Sequence, residues 1–233
     1  MKKIVSVFVI EIIMLIAMYG VLLLLKIVGL ESGYTSKIIP FAIICIGTLL
    51  CLKLIDKKPV KQLGLIITKS TVLYSIMFII LAIIPLLYEL MRTGNITAKS
   101  EFKIVDVIYY FIVGFSEELF FRGYTKVRMS EIRPGIWVII SAIAFSGLHL
   151  ISSEVTPIAL VFVFIMGISF AISYQCIGSI IPLLFFHVIW DICANYSDYS
   201  DAIVGLVISV LMVLISLSIN KLIDRKKSKP IVL

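Results

Sequence analysis

The composition of this 233-residue chain departs from that of a soluble domain, because 61% of the residues are hydrophobic and only 15% are charged. Such apolar content excludes a disordered chain, and four cysteines are too few for a small disulfide-stapled secreted domain. The net charge of +7 is therefore better explained by basic residues flanking membrane spans than by nucleic-acid binding, and the composition predicts an all-α, polytopic membrane protein.

Membrane helices are predicted where about 20 mostly apolar residues follow one another. The first such run follows Lys2 and Lys3, as a signal peptide would. It is longer than the usual hydrophobic region of about 7–15 residues and no A-x-A cleavage site follows, so we expect an uncleaved span. About eight spans are predicted in chain order, at residues 4–25, 38–55, 71–90, 104–121, 135–150, 157–174, 179–194 and 202–219.

The distribution of basic residues predicts the orientation of these spans. With eight spans and a cytoplasmic N-terminus, sixteen of the 21 lysines and arginines fall on cytoplasmic segments and five on the other side. Because lysine and arginine accumulate on cytoplasmic loops, both termini are predicted to be cytoplasmic. The basic turn between the fourth and fifth spans also favours substrate access from the cytoplasmic side.

Both histidines of the chain, His149 and His187, lie in apolar segments. Ionisable residues inside membrane helices are costly and are therefore candidates for function. His187 and Asp191 are four residues apart and share one helix face, which makes them a candidate ligand pair or polarising pair. The alternative is a buried hydrogen bond that only ties two helices together.

Two adjacent glutamates, Glu117 and Glu118, interrupt the fourth apolar run. Glu118 precedes Arg122 by four residues, the favoured orientation for an ion pair on a helix. Glu117 is then left without a local partner and is a candidate for proton transfer. The alternative is that this helix has already reached the interface and both carboxylates are solvated.

Helix geometry predicts that these polar residues lie at similar depth. Glu117 and His149 are each 16 residues from Arg133, which begins the likeliest turn, Arg133-Pro134-Gly135. In an antiparallel helical hairpin both would lie roughly 24 Å from that turn and could face one another. His187, with Asp191 one helical turn further on, is placed near the middle of the bilayer by the same counting.

A cluster of Glu, His, His and Asp suits activation of water by a carboxylate, with imidazoles binding a metal or stabilising an oxyanion. Hydrolysis of a peptide bond within or beside the membrane is the reaction class this predicts. A proton-coupled transporter is an alternative, since intramembrane Glu, His and Asp also form proton relays, although no internal repeat is visible. A non-catalytic binding or immunity protein is the other alternative.

Other polar and aromatic residues receive simpler interpretations. We expect Glu11 and Asp106 to make interhelical hydrogen bonds or to lie at the interface. Tyr109, Tyr110 and Phe111 could line a groove, but an aromatic run in a membrane helix usually faces lipid or packs in the core.

Three motifs on successive or nearly successive spans resemble the CAAX prenyl protease 2 type of intramembrane protease, also called the CPBP or abortive-infection-like family. The family pattern is E-E-x-x-x-R, then F-x-x-x-H, then H-x-x-x-N or D. The matching residues here are Glu117, Glu118 and Arg122; Phe145 and His149; and His187 and Asp191.

The resemblance implies an eight-helix endopeptidase with a membrane-embedded site. Glu117 and His149 would activate water, and His187 and Asp191 would stabilise the oxyanion or help to bind a metal. Members are often described as metalloproteases, so Zn²⁺ held by Glu117, His149, His187 and Asp191 is one alternative. A metal-free, glutamate-dependent mechanism is the other.

The resemblance also implies supporting roles, a domain division and a setting. Glu118, Arg122 and Phe145 would support the catalytic residues and keep the motifs in their conformation.

Residues 63–195 would form the protease core. Two spans and a linker, in residues 1–62, would precede it, and a last span and a basic tail, in residues 196–233, would follow it. The expected partners are the lipid bilayer and a membrane-associated peptide or protein, in a bacterial cell membrane. Bacterial relatives are linked to peptide maturation and bacteriocin self-immunity.

Overall fold

A computed structural model describes residues 2–30, 33–94, 103–150, 156–196 and 202–227, and within these ranges every regular element is a helix. Nine α-helices are described: α1 Lys2–Ile27, α2 Tyr34–Leu50, α3 Lys69–Thr93, α4 Ile104–Glu118, α5 Thr125–Arg128, α6 Pro134–His149, α7 Pro157–Ile177, α8 Ile181–Tyr196 and α9 Ala202–Lys227. A π-helical segment, Leu119–Tyr124, joins α4 to α5 in one continuous helical stretch. The nine described α-helices therefore form eight continuous helical stretches, called rods below. The predicted all-α architecture is confirmed.

Five of the described helical segments are long and apolar enough to cross a membrane: Lys2–Ile27, Ser36–Ile55, Lys69–Thr93, Pro157–Ile177 and Ile203–Ile223. The second of these includes a π-helical extension of α2, Cys51–Ile55. Two further apolar helices, α6 and α8, are shorter. Large apolar side chains such as Ile16 and Leu24 are more than half exposed on the outside of the bundle, as expected where lipid replaces water. The protein is therefore an integral, multi-pass membrane protein.

The loops that carry most of the basic residues meet at one end of the bundle, here called the basic end. Lys3, at the start of α1, forms an ion pair with Glu131 in the turn after α5 at 2.8 Å. Asp56, in the linker after α2, pairs with Arg128 and accepts a hydrogen bond from the Tyr124 hydroxyl at 2.9 Å. The N-terminus, the linker and this turn therefore share one face of the membrane.

The turn between α5 and α6 lies earlier than the sequence suggested. Met129–Arg133 form the turn, and Pro134 is the first residue of α6 rather than part of the turn. Proline suits this position because the first helical residues have no intrahelical acceptor for an N–H.

Helix neighbours differ from the simple hairpin expected between the fourth and fifth spans. α4 packs against α2 and α8, whereas α6 packs mainly against α7. Gly114 eases the close approach of α4 to α8, because a Cβ there would lie 3.3 Å from Cγ2 of Val188, a tight contact. At the basic end, a Cβ on Gly123 would lie only 2.7 Å from the Leu63 carbonyl oxygen.

The two carboxylates expected to be structural have different surroundings. Asp106 accepts a hydrogen bond from the Tyr34 hydroxyl of α2 at 2.6 Å, which confirms an interhelical role. Glu11 is buried inside the bundle. Its side chain is 7% exposed and lines a small cavity beside Phe120 and Leu148.

Candidate active site

An open cleft of about 360 Å³ brings together the four polar residues predicted to carry the chemistry. The cleft is lined by Glu117 from α4, His149 from α6, and His187 and Asp191 from α8. Its remaining lining is apolar and aromatic, and comes from Met18, Phe41, Tyr109, Tyr110, Val113 and Leu148. Tyr109 and Tyr110 therefore line a groove, contrary to the usual contact with lipid or core, whereas Phe111 does not line the cleft and is 45% exposed.

The cleft lies in the half of the bundle remote from the basic end. His149 is the last residue of α6, whose first residue, Pro134, follows the basic turn. Tyr109 is only five residues from the start of α4, at the opposite end of that helix from the basic turn. The cleft is therefore distant from the turn near which substrate access was expected.

The buried carboxylate of Glu118 joins two other side chains, those of Arg122 and His187. One oxygen of Glu118, Oε1, accepts a hydrogen bond from Arg122 Nη1 at 3.1 Å, which confirms the predicted ion pair. The same oxygen lies 3.0 Å from His187 Nδ1. Glu118 and Arg122 are fully buried, so this charge pair is held in a medium of low dielectric constant. The contact to His187 was not predicted, because no local spacing links α4 with α8.

The π-helical segment positions Arg122 beneath this cluster. A π-turn disrupts the regular α-helical hydrogen bonding, and such turns are frequent at functional sites. The Phe121 carbonyl oxygen accepts hydrogen bonds from two hydroxyls, those of Ser141 and Thr125, each at 2.6 Å. These bonds satisfy a buried carbonyl and tie the segment to α6.

Glu117 lines the cleft, and one of its carboxylate oxygens makes no hydrogen bond to the described residues. Its Oε2 atom is buried and has no hydrogen-bond partner among the described residues. His187 Nε2 lies 3.6 Å from Glu117 Oε2, and Asp191 Oδ2 lies 3.5 Å from the same nitrogen. Glu117 lacks a partner on its own helix, as predicted, but it lies beside an imidazole of α8 that the sequence did not assign to it.

His149 lines the cleft from α6, and its Nδ1 atom lies 2.9 Å from the Phe145 carbonyl oxygen. Because a carbonyl oxygen only accepts, Nδ1 carries the proton. Nε2 then remains for a substrate or water. Glu117 and His149 share one cavity, as predicted, but on helices that are not principal neighbours.

The Phe145 ring packs between the charged cluster and both imidazoles. The Arg122 guanidinium carbon lies 4.2 Å from the centroid of this ring and 4.8 Å from that of Phe170. The centroids of the His149 and His187 rings lie 4.9 and 6.0 Å from that of Phe145. Phe145 therefore combines a cation–π contact with support for both histidines. Phe170 was not predicted, since no motif marks it.

The residues of the cleft belong to types that bind zinc, namely carboxylates and imidazoles. The contact between Glu118 and His187 Nδ1 is of the kind that orients metal-ligating histidines. Among the residues that the structure describes, however, no three His, Cys, Asp or Glu side chains are grouped as metal ligands. The zinc ion stays a prediction, and the chemistry below is derived from the protein's own residues.

Fold and cleft together define the class of protein: a multi-pass helical membrane protein with carboxylates and imidazoles gathered inside the bundle. The family model described as "Type II CAAX prenyl endopeptidase Rce1-like" matches residues 76–193, just over half of the chain. The chain belongs to this family, and at the family level it is a membrane protease of the CAAX type. All seven motif residues lie within the matched segment. No curated protein sequence matches the chain.

Proposed function

We propose that this protein is an intramembrane endopeptidase in which Glu117 activates the water that hydrolyses a peptide bond. The observation that carries the proposal is the Oε2 atom of Glu117, which is buried, lacks a hydrogen bond and belongs to a residue that lines the cleft. A carboxylate oxygen that makes no hydrogen bond can act as a general base, and the imidazole of His187 lies 3.6 Å from it. The family match supports the same reaction class.

The reaction requires one water molecule and the scissile amide in the cleft. Glu117 takes a proton from the water molecule while the oxygen of that water molecule forms a bond to the carbon of the scissile amide. His149, with its proton on Nδ1, accepts a hydrogen bond from the water at Nε2 and orients it. Glu117 then returns the proton to the leaving nitrogen as the C–N bond breaks, which leaves a carboxylic acid and an amine.

His187 is proposed to stabilise the oxyanion of the tetrahedral intermediate. With carboxylates at both nitrogens, it acts as an imidazolium that donates from Nδ1 to Glu118 and from Nε2 towards the cleft. Asp191 balances that charge from one helical turn away. If zinc is used, Glu117, His149, His187 and Asp191 would hold it, and it would polarise the amide carbonyl.

We further propose the setting and substrate of this activity. The preference of lysine and arginine for one end of the bundle supports cytoplasmic termini. The substrate is a membrane-associated peptide or protein, and residues 63–195, which contain the matched segment, form the protease core. A bacterial cell membrane, with peptide maturation or bacteriocin self-immunity as the role, is inferred from the resemblance.

The test compares purified, detergent-solubilised wild type with Glu117→Gln and His187→Ala on a library of membrane peptides, read by mass spectrometry. Glu131→Gln is the matched control, because Glu131 is an exposed glutamate far from the cleft. We expect cleavage products from wild type and Glu131→Gln, and none from Glu117→Gln or His187→Ala. Equal cleavage by Glu117→Gln would refute the assignment of the base.

Parallel reactions with a chelator test the metal. Loss of activity that added Zn²⁺ restores would support the metalloprotease alternative, and unchanged activity would support the metal-free one. A cellular phenotype that survives Glu117→Gln would favour the non-catalytic alternative.

A further inference from the structure

The chain between α2 and α3 is held across the basic end of the bundle. Residues 57–69, here called the basic linker, follow the π-helical extension of α2 and end at the first residue of α3. The Leu63 side chain is fully buried, and the Ser179 hydroxyl donates a hydrogen bond to the Ile66 carbonyl oxygen at 2.7 Å. The carbonyl oxygen of Gly64 accepts a backbone hydrogen bond from the turn before α8 at 3.0 Å. The basic linker therefore has a fixed path, and its outward side chains form a defined surface.

Three consecutive aliphatic residues of the basic linker face outwards instead of into the bundle. Leu65, Ile66 and Ile67 are all exposed, and Ile67 is 75% exposed. The linker joins the α2 segment to α3, and both of these segments are long and apolar enough to cross a membrane. The linker therefore lies at the membrane surface, where exposed aliphatic side chains insert at the boundary between headgroups and acyl chains.

All the charged residues of the basic linker are lysines, namely Lys57, Lys58, Lys61 and Lys69. Their four side chains are exposed. Two acidic residues of the basic end are already engaged by other cations. Asp56 is paired with Arg128. Glu131 is paired with Lys3. The basic linker therefore presents four positive charges to a partner outside the protein.

We propose that the basic linker is a binding surface for anionic phospholipids. Its four lysines hold the phosphate groups of the lipid headgroups, and residues 65–67 insert among the acyl chains of the same leaflet. A long lysine side chain reaches a headgroup while its methylene groups stay against apolar surface. Anionic lipids are favoured over zwitterionic lipids because their net charge is opposite to that of the linker. This proposal does not depend on the peptidase function.

The combination of charge and aliphatic residues favours a lipid over a soluble acidic partner. An anionic phospholipid offers a negative headgroup and acyl chains in one molecule, whereas a nucleic acid or an acidic peptide offers only the charge. Because contacts with the bundle already fix the linker, binding requires little further ordering of the chain. Each lysine that reaches a headgroup should raise the preference for anionic lipid by about fivefold.

Quenching of a linker tryptophan by brominated lipid tests this proposal. Full-length Ile67→Trp is reconstituted into vesicles of equal amounts of phosphatidylglycerol and phosphatidylcholine, with bromine on the acyl chains of only one of the two lipids. Wild type, measured in parallel, gives the emission of Trp137 and Trp190, which is subtracted. We expect phosphatidylglycerol to be in excess beside residue 67 by about fivefold or more, and therefore to quench more strongly. Equal quenching by the two lipids would overturn the proposal, and so would the absence of quenching by either.

A variant without the positive charges tests whether the lysines cause the excess. In the Ile67→Trp chain it combines four substitutions, Lys57→Gln, Lys58→Gln, Lys61→Gln and Lys69→Gln. The excess of phosphatidylglycerol should disappear. The matched control combines Lys26→Gln with Arg92→Gln, because these exposed basic residues lie at the ends of α1 and α3 remote from the linker. The control should keep the excess, and an excess that survives in the four-lysine variant would refute the assignment.

Salt provides a second test that changes no lysine. At about 1 M salt the Debye length is only about 3 Å, so the excess of phosphatidylglycerol beside residue 67 should fall towards equality with phosphatidylcholine. Quenching summed over the two lipids should persist, because insertion of an apolar side chain depends on removal of its surface from water. An excess that salt leaves unchanged would show that charge is not its cause and would overturn the proposal.

Discussion

Glu118 and His187, which are 69 residues apart in the chain, meet in the interior of the bundle with Oε1 and Nδ1 separated by 3.0 Å. This contact turns the other imidazole nitrogen, Nε2, towards Glu117 and Asp191. The same carboxylate oxygen accepts a hydrogen bond from Arg122. The buried Glu118 carboxylate therefore links the Glu118–Arg122 ion pair to the imidazole of His187 on α8. Loss of the Glu118 carboxylate should therefore affect both the ion pair and the orientation of His187.

Removing one partner of the buried pair should destabilise the protein strongly. Arg122→Met removes the cation that pairs with the buried Glu118 carboxylate, and Glu118→Gln removes the anion that pairs with the buried Arg122 guanidinium. Each variant should lose about 3–5 kcal/mol in the free energy of unfolding. The double variant should recover much of that loss, because no buried charge of the pair remains. Its peptidase activity should stay low, since His187 no longer has the Glu118 carboxylate. Denaturation in detergent, with activity measured on the same samples, checks both. A double variant as unstable as the single variants would contradict this account.

Glu117→Gln should have the opposite profile, with low activity and unimpaired stability. Loss of a general base costs about 10²–10⁴-fold in rate. The substitution removes a buried carboxylate whose Oε2 lacks a hydrogen bond, so the folded state loses little. The measurement is kcat together with the unfolding midpoint, and Glu131→Gln should match wild type in both. A large fall in the midpoint of Glu117→Gln would show that Glu117 is mainly a structural residue.

Gly123→Ala should destabilise the linker packing at the basic end. The added Cβ would lie 2.7 Å from the Leu63 carbonyl oxygen, a contact with backbone that no side-chain rotation relieves. Overpacking of this kind costs about 1–3 kcal/mol. Gly135→Ala is the matched control, because no atom lies within 4 Å of its added Cβ. Thermal unfolding of both variants checks the prediction, which fails if they unfold at the same temperature.

The position of the cleft predicts which side of the membrane reaches it. With the basic end in the cytoplasm, a cysteine at Tyr110 should react with an impermeant thiol reagent added outside intact cells. A cysteine at Lys58, in the linker of the basic end, should react only after permeabilisation. The measurement needs a background in which the four native cysteines are replaced by alanine, namely Cys45, Cys51, Cys176 and Cys193. The reverse labelling pattern would show that the cleft faces the cytoplasm.

Much of the fold was predictable because it depends on local properties of the chain. Each span is a mostly apolar run, and in lipid such a run must satisfy its own backbone hydrogen bonds as a helix. The Glu118–Arg122 pair and the closeness of His187 to Asp191 are equally local, since residues four apart lie on one helix face. The four cleft residues were predicted in the same way, by motifs and by counting residues from a turn.

Only the tertiary structure decided how the rods are arranged. The counting suggested a hairpin of the fourth and fifth rods, yet α4 lies between α2 and α8, where Gly114 permits the close contact. That arrangement places His187, rather than His149, beside Glu117 and Glu118. It also brings α6, α7 and α8 together around a second cavity of about 90 Å³. The helical periodicity of each apolar run specifies which residues share a face. Which face meets which depends on side-chain packing between segments far apart in the chain, and that is visible only in three dimensions.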